Sequence, residues 1–242
     1  VFVHGLGGNG EFFTPIIESG DFKSHFTSYT YDLEGHGLTP TNIASCVTIE
    51  SFADDLAQVI AHVNPSGPVT IMAHSLGCLI AITYALRDIS KVKKLILLGP
   101  VTVPLAEVGR KAITSRANAV RSKGLLASGT VDSVATAGTS EATRLYNPVA
   151  YAAVRASLLS TLPEGYAKAC MALVGAVACP LEELSVPTLL LTGDEDKTAP
   201  VKTVTALHGR LPNSRVEILR GTGHWHVFEN PDSVVRAIKS FA

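Results

Sequence analysis

Short unbroken apolar runs alternate along this chain with stretches of helical period, and few architectures satisfy that alternation. Strands are expected over residues 1–4, 27–31, 68–73, 94–98, 188–191 and 216–219. Most of these runs are apolar throughout rather than at every second position, which suits strands covered on both faces. Between them, Phe52, Leu56, Val59, Ile60 and Val63 form one stripe at helical spacing. Asn230 and Pro231 read as the N-cap and first residue of a last helix, with Val234, Val235 and Ile238 on one face. The expected fold class is α/β, a mainly parallel open sheet of about six strands flanked by helices. With 46% apolar residues in 242, the chain has enough material for one sizeable core.

One stretch breaks the alternation. Residues 102–186 contain no strand pattern, and 17 of these 85 residues are alanine, the best helix former. Val154, Leu158 and Leu162 make one apolar stripe; Tyr166, Cys170, Leu173 and Val177 make another. The expected organisation is a core of residues 1–101 and 187–242, with 102–186 inserted between two core strands as an all-helical cap. An insertion at the C-terminal end of a strand lies over the edge where open α/β sheets bind ligands.

Charge and composition narrow the function. Twenty Lys+Arg against 21 Asp+Glu leave no surplus to hold a phosphate backbone, which disfavours nucleic acid as the main partner. No apolar run approaches the roughly 18–20 residues that span a bilayer, and residues 1–5 read as a strand rather than a signal-like segment. Cys46, Cys78, Cys170 and Cys179 form neither a CxxC pair nor a metal-ligand spacing. They are expected to be reduced, mostly buried thiols of a cytoplasmic protein that needs no cofactor or metal. A small molecule is the expected partner; oligomeric state has no sequence signal.

The most specific local signal is Ala73-His74-Ser75-Leu76-Gly77, where an apolar strand runs into a helix. This is the setting of a nucleophile elbow, with Ala73 in place of the first glycine of G-x-S-x-G. The serine of such a turn is strained and exposed, and its neighbours two before and two after must be small. A serine hydroxyl needs a base. His224 follows the last strand in Gly221-Thr222-Gly223-His224, at the same sheet edge. His226, in an extended loop, would point the opposite way. His25, His36, His62 and His208 are expected to be structural, and His74 to pack behind the site. The imidazole in turn needs an acid, and Asp194, Glu195 and Asp196, just past the strand at 188–191, all qualify. The stretch 98–102 offers no acid. Glycines in Val3-His4-Gly5-Leu6-Gly7-Gly8-Asn9-Gly10 would let the Leu6 N–H face an oxyanion together with that of Leu76. The same loop matches neither G-x-x-x-x-G-K-[ST] nor G-x-G-x-x-G, so nucleotide binding is disfavoured.

Taken in order, His4-Gly5-Leu6-Gly7, Asp32-Leu33-Glu34-Gly35-His36-Gly37, Ala73-His74-Ser75-Leu76-Gly77, Gly193-Asp194-Glu195-Asp196 and Gly223-His224 resemble the α/β-hydrolase superfamily over nearly the whole chain. The resemblance implies Ser75 as nucleophile, His224 as base and Asp196, the fourth position of G-x-x-D, as acid. It implies backbone N–H groups of Leu6 and Leu76 as the oxyanion hole and a structural turn at 32–37. Members of this superfamily usually begin with two further strands. Without them the 27–31 strand would be an open edge, so the resemblance implies a preceding segment or another cover for it. Serine at position 75 disfavours haloalkane dehalogenases and epoxide hydrolases, which carry aspartate there. The class it suggests is a capped serine hydrolase of small apolar esters or lactones. The alternatives are a triad-retaining ligand receptor, a carbon–carbon hydrolase of meta-cleavage products, and an acyltransferase.

Overall fold

The computed structural model describes residues 1–64 and 66–241, without the Asp21 side chain. Five parallel strands form one open sheet in the order β1 (Phe2–Val3), β2 (Val69–His74), β3 (Val92–Leu98), β4 (Thr188–Gly193), β5 (Ser214–Leu219). Side chains alternate across it. Ile71 and Ala73 of β2, Leu95 and Leu97 of β3 and Leu190 of β4 enter one core. Met72, Ile96, Leu98, Leu189 and Leu191 enter the other. Both faces are buried, which is why these strands read as continuous apolar runs.

Helix α1 (Ile49–Val63) begins with a capping box in which Thr48 and Ser51 each bond the other's backbone N–H. It buries Phe52, Leu56 and Ile60 in the first core, together with α2 (Leu76–Arg87). The second core is closed by Phe12, Phe13 and the last helix.

The segment expected as a strand at 27–31 contributes only the parallel bridge Phe2–Thr30 and a 2.9 Å bond from Phe2 N–H to the Tyr29 carbonyl. It therefore supports β1 at one point instead of forming a sixth strand. A groove of about 540 Å³ lined by Phe2, Phe22, Phe26, Tyr29 and Phe241 runs beside it, towards the N-terminal ends of β2 and β3.

Between β3 and β4 the chain is helical: α3 (Glu107–Ala127), α4 (Thr130–Gly138), α5 (Glu141–Tyr146), α6 (Pro148–Leu159) and α7 (Pro163–Gly175). Val154 and Leu158 are buried as their stripe requires, as are Tyr166, Cys170 and Leu173. The stripes overreach at their ends. Leu162 lies between α6 and α7 and Val177 lies past α7, and both are exposed. After β4 come α8 (Val201–His208), β5, the single turn α9 (His226–Glu229) and α10 (Pro231–Phe241). Asn230 caps α10, with Ser233 N–H 3.4 Å from its Oδ1. All four cysteines are free thiols; Cys78 and Cys170 are buried, whereas Cys46 is exposed.

Candidate active site

Parallel strands deliver their C-terminal loops to one edge, and the candidate residues collect there. Ser75 joins β2 directly to α2 with φ 52° and ψ −116°. It is the one non-glycine residue with positive φ among those described. Such a conformation costs on the order of 1–3 kcal/mol and persists only where its surroundings fix it. Here Ser75 N–H donates to the Leu98 carbonyl at 2.9 Å, and the Ser75 carbonyl accepts from Cys78 N–H at 2.9 Å. The tight turn needs small residues on either side: Ala73 is fully buried, and Gly77 lies against the Val3 and His4 carbonyls. Alanine therefore replaces the first glycine of the elbow without disturbing its shape.

His224 and Asp196 arrive from the loops after β5 and β4. His224 Nδ1 lies 2.8 Å from Asp196 Oδ2, and both residues are buried. Asp196 Oδ1 accepts from Thr198 N–H and Ala199 N–H, each at 2.8 Å. Of the three acids left open by the spacing, Asp196 alone meets His224. Asp194 instead accepts from Thr222 N–H and Glu195 from Glu141 N–H. Burial alone would raise the Asp196 carboxyl, but His224 and His226 and their hydrogen bonds hold it well below the usual carboxylate range. With Nδ1 committed to a carboxylate, the His224 ring presents Nε2 as a base. The only hydrogen bonds of Ser75 among the described residues are its backbone ones. Hydroxyl–imidazole contacts of this kind commonly tighten only with a ligand in place.

The expectation for His226 fails. The chain does not stay extended after His224; it turns at Trp225 (φ −89°, ψ 54°) into α9, so both imidazoles face Asp196. His226 Nε2 lies 3.4 Å from the same Oδ2. His74 packs behind the site as expected, and its Nε2–H donates to the His224 carbonyl at 2.9 Å. Burial first, then the neighbouring His224 and His226, hold the His74 ring neutral, well below the ordinary histidine value. Glu229 was missed altogether. Its carboxylate accepts from the N–H groups of Ser140, Gly223 and Trp225 and from the Thr143 hydroxyl, tying the His224 loop to the helical segment. A glutamate five residues past a candidate base is its only sequence signal.

The loop carrying Leu6 touches Ser75. A methyl group on Gly5 would lie 2.8 Å from the Ser75 Cβ and 2.9 Å from the His74 carbonyl, so only glycine allows this approach. Leu76 is the first residue of α2. Neither the Leu6 nor the Leu76 N–H has an acceptor among the described residues. Both are free for an anion, and that of Leu76 is reinforced by the helix dipole. Over this loop lies the helical segment: Leu158 and Tyr166 press on Gly7, the Ser157 hydroxyl donates to the Gly7 carbonyl, and Asn9 Nδ2 donates to Ser160. His224 N–H donates to the Gly138 carbonyl at 2.7 Å.

The remaining histidines stay outside this arrangement. His4 is buried; its Nε2 accepts from Leu33 N–H and its Nδ1–H bonds the Gly5 carbonyl. Burial pushes it down to about 4, and burial with the His4 ring beside it pushes His36 down to about 3. Asp32 accepts from Gly10 N–H and Leu38 N–H, so the 32–37 turn is structural. His208 bonds Ser214, and His25 and His62 are exposed. No group of three or more metal-ligating side chains occurs among the described residues, and none of their helices is long and apolar enough to cross a membrane.

A parallel open sheet, a strained serine between strand and helix, and a histidine–aspartate pair from the last two strand loops define an α/β hydrolase. A family model described as alpha/beta hydrolase fold matches residues 1–231, and the chain belongs to that family. Its backbone is similar to a thermophilic esterase from Thermogutta terrifontis, with TM-score 0.92 and 26% identity over 99% of this chain and 87% of that one. It is 33% identical over 94 residues to RutD of Agrobacterium fabrum, named as a carbamate hydrolase, covering 39% of this chain and 35% of that protein. It is 28% identical over 109 residues to BODYGUARD 4 of Arabidopsis thaliana, named as a lysophospholipase, covering 45% of this chain and 26% of that protein. The chain thus spans about a third or less of the length of these two relatives.

Proposed function

We propose that this hydrolase cleaves a small, largely apolar ester or lactone through an acyl-enzyme intermediate. Ser75 Oγ attacks the carbonyl carbon while its proton passes to His224 Nε2. Asp196 holds the resulting imidazolium, and the Leu6 and Leu76 N–H groups receive the oxyanion. Collapse breaks the carbonyl–oxygen bond to the leaving group, which departs with the proton from His224. A water, deprotonated by the same imidazole, then attacks the acyl carbon; the acid leaves and Ser75 regains its proton. Residues 102–186 act as the cap over this site. Leu158 and Tyr166 pack against Gly7 of the Leu6 loop and Trp225 packs against His74, an apolar setting that supports an apolar substrate.

The observation that carries this reading is a coincidence at one sheet edge: a serine held at φ 52° and a buried imidazole bound at 2.8 Å to a carboxylate. The test compares wild-type protein with Ser75→Ala for p-nitrophenyl acetate turnover and fluorophosphonate labelling. Wild type is expected to be labelled at Ser75, and the variant to lose roughly 10⁴-fold or more in kcat. Full turnover by the variant, with Ser75 unlabelled in wild type, would overturn the assignment.

A further inference from the structure

A carboxylate offers about four acceptor positions, two on each oxygen. Around Asp196, Thr198 and Ala199 N–H groups occupy Oδ1 at 2.8 Å each, and His224 Nδ1 takes one position on Oδ2 at 2.8 Å. His226 Nε2 lies 3.4 Å from the same Oδ2. His226 is fully buried, and among the described residues neither of its ring nitrogens makes a hydrogen bond, the Asp196 carboxylate being within charge-pairing distance of Nε2. Leaving a buried imidazole's polar atoms unmet is costly, and among the described residues this carboxylate is the acceptor within reach. The backbone leaves little freedom to place it elsewhere: a methyl group on Gly99 would meet the Cε1 atoms of His224 and His226, each at 2.8 Å.

We propose that His226 is a positioning residue, whose Nε2–H shares Asp196 Oδ2 with His224 and so sets both the plane of the acid and the basicity of the base. This rests on the triad reading above. Its chemistry is electrostatic. A second donor draws off part of the negative charge that His224 would otherwise feel, keeping the imidazolium acidic enough to give its proton to a leaving group. It also prevents the carboxylate from turning about its Cβ–Cγ bond. Asp196, His224 and His74 are the ionisable groups facing His226, with ring centres 5.8 Å away for His224 and 5.9 Å for His74. Glu229, on the same helical turn, is engaged by backbone N–H groups, and Asp194 and Glu195 bond Thr222 and Glu141.

The experiment compares wild type, His226→Leu and His226→Gln in kcat and KM for p-nitrophenyl acetate across pH, and follows the His224 and His226 rings by ¹H–¹⁵N NMR. Without the second donor, His224 becomes more basic, so in His226→Leu the acid limb should move up by about half a unit or more. Its kcat should fall roughly tenfold with little change in KM. His226→Gln, which returns an N–H near the Nε2 position, should recover most of both. In wild type, the His226 ring should carry its proton on Nε2; this reading does not depend on any variant folding. A wild-type acid limb in His226→Leu, or a His226 proton on Nδ1 in wild type, overturns the proposal while leaving the triad intact. A wild type that neither turns over the ester nor takes the fluorophosphonate overturns the triad reading and this proposal with it.

Discussion

The C-terminal edge of the sheet and the helical segment 102–186 meet over Ser75 but are held by different forces. At the edge, position is fixed by backbone hydrogen bonds into buried or half-buried polar side chains: Asp196 takes two N–H groups, the half-buried Glu229 three, and His74 one carbonyl. The helical segment is organised by apolar packing of small residues, with polar ties mostly at its margins, such as Ser157 to Gly7 and Leu162 N–H to the Gly35 carbonyl. Several of its ion pairs, Lys111–Glu107 and Arg121–Glu164 among them, are exposed, where such pairs contribute at most about 1 kcal/mol. A buried polar network specifies one geometry, because every alternative leaves groups unpaired. Packed alanines allow small shifts at low cost. The contrast supports the proposed division, in which the edge sets reaction geometry and the helices govern access.

The most severe way to break this division is Asp196→Asn. The Asn Oδ1 can still accept from Thr198 and Ala199, so the loop should hold, but the imidazole loses its anionic partner. A fall in kcat of about 10⁴-fold is expected, with the fold intact by circular dichroism. A loss of tenfold or less would mean that another group orients His224.

A second test uses the fact that all eight histidines lie outside residues 102–186. His4 and His36 are held neutral in the folded state, at about 4 and about 3, chiefly by burial, and the buried His74 shifts in the same direction. The unfolded chain takes up these protons near 6.5, before the folded protein does, so stability is greatest above that value and falls as pH drops towards the folded values. Between pH 7 and pH 5, His4 and His36 should each remove about 2 kcal/mol. Thermal unfolding across this range should show the decline, and His36→Asn should reduce it. A flat profile would show that the edge does not carry the buried titrating groups.

Much of this was legible in the sequence because local rules were decisive. The 69–74 run followed by Ser-Leu-Gly leaves a chain little choice but a strand, a strained turn and a helix, and β4 and β5 lie close to where their apolar runs put them. The 27–31 segment misled because its β-forming residues satisfy propensity, while pairing depends on a neighbour that propensity does not see. His226 misled because its direction depends on one ψ angle, at Trp225. Alternation along an extended chain is reliable only while the chain stays extended. Glu229 was invisible because its partners, Ser140, Thr143 and Gly223, are brought to it only by the tertiary fold. Helical stripes placed α6 and α7 but ran past their ends, where Pro163 starts one helix and Gly175 ends the other.

Glu229 also offers the mildest test, because it joins the two regions. In Glu229→Gln the side chain keeps one oxygen and gains an NH₂. The oxygen can satisfy the Ser140, Gly223 and Thr143 cluster now held by Oε2, or the Trp225 N–H now held by Oε1, but not both. Whichever way the amide turns, at least one donor faces another donor. The expected cost is about 1–3 kcal/mol, read from chemical denaturation. Because Asp196 is held by the Thr198 and Ala199 N–H groups of the β4 loop and can still bind His224 Nδ1, the pH dependence of kcat/KM should stay as in wild type while KM rises. If instead the pH profile moves with the loss of stability, the tie to the helices helps to set the base itself, and edge and cap form one unit.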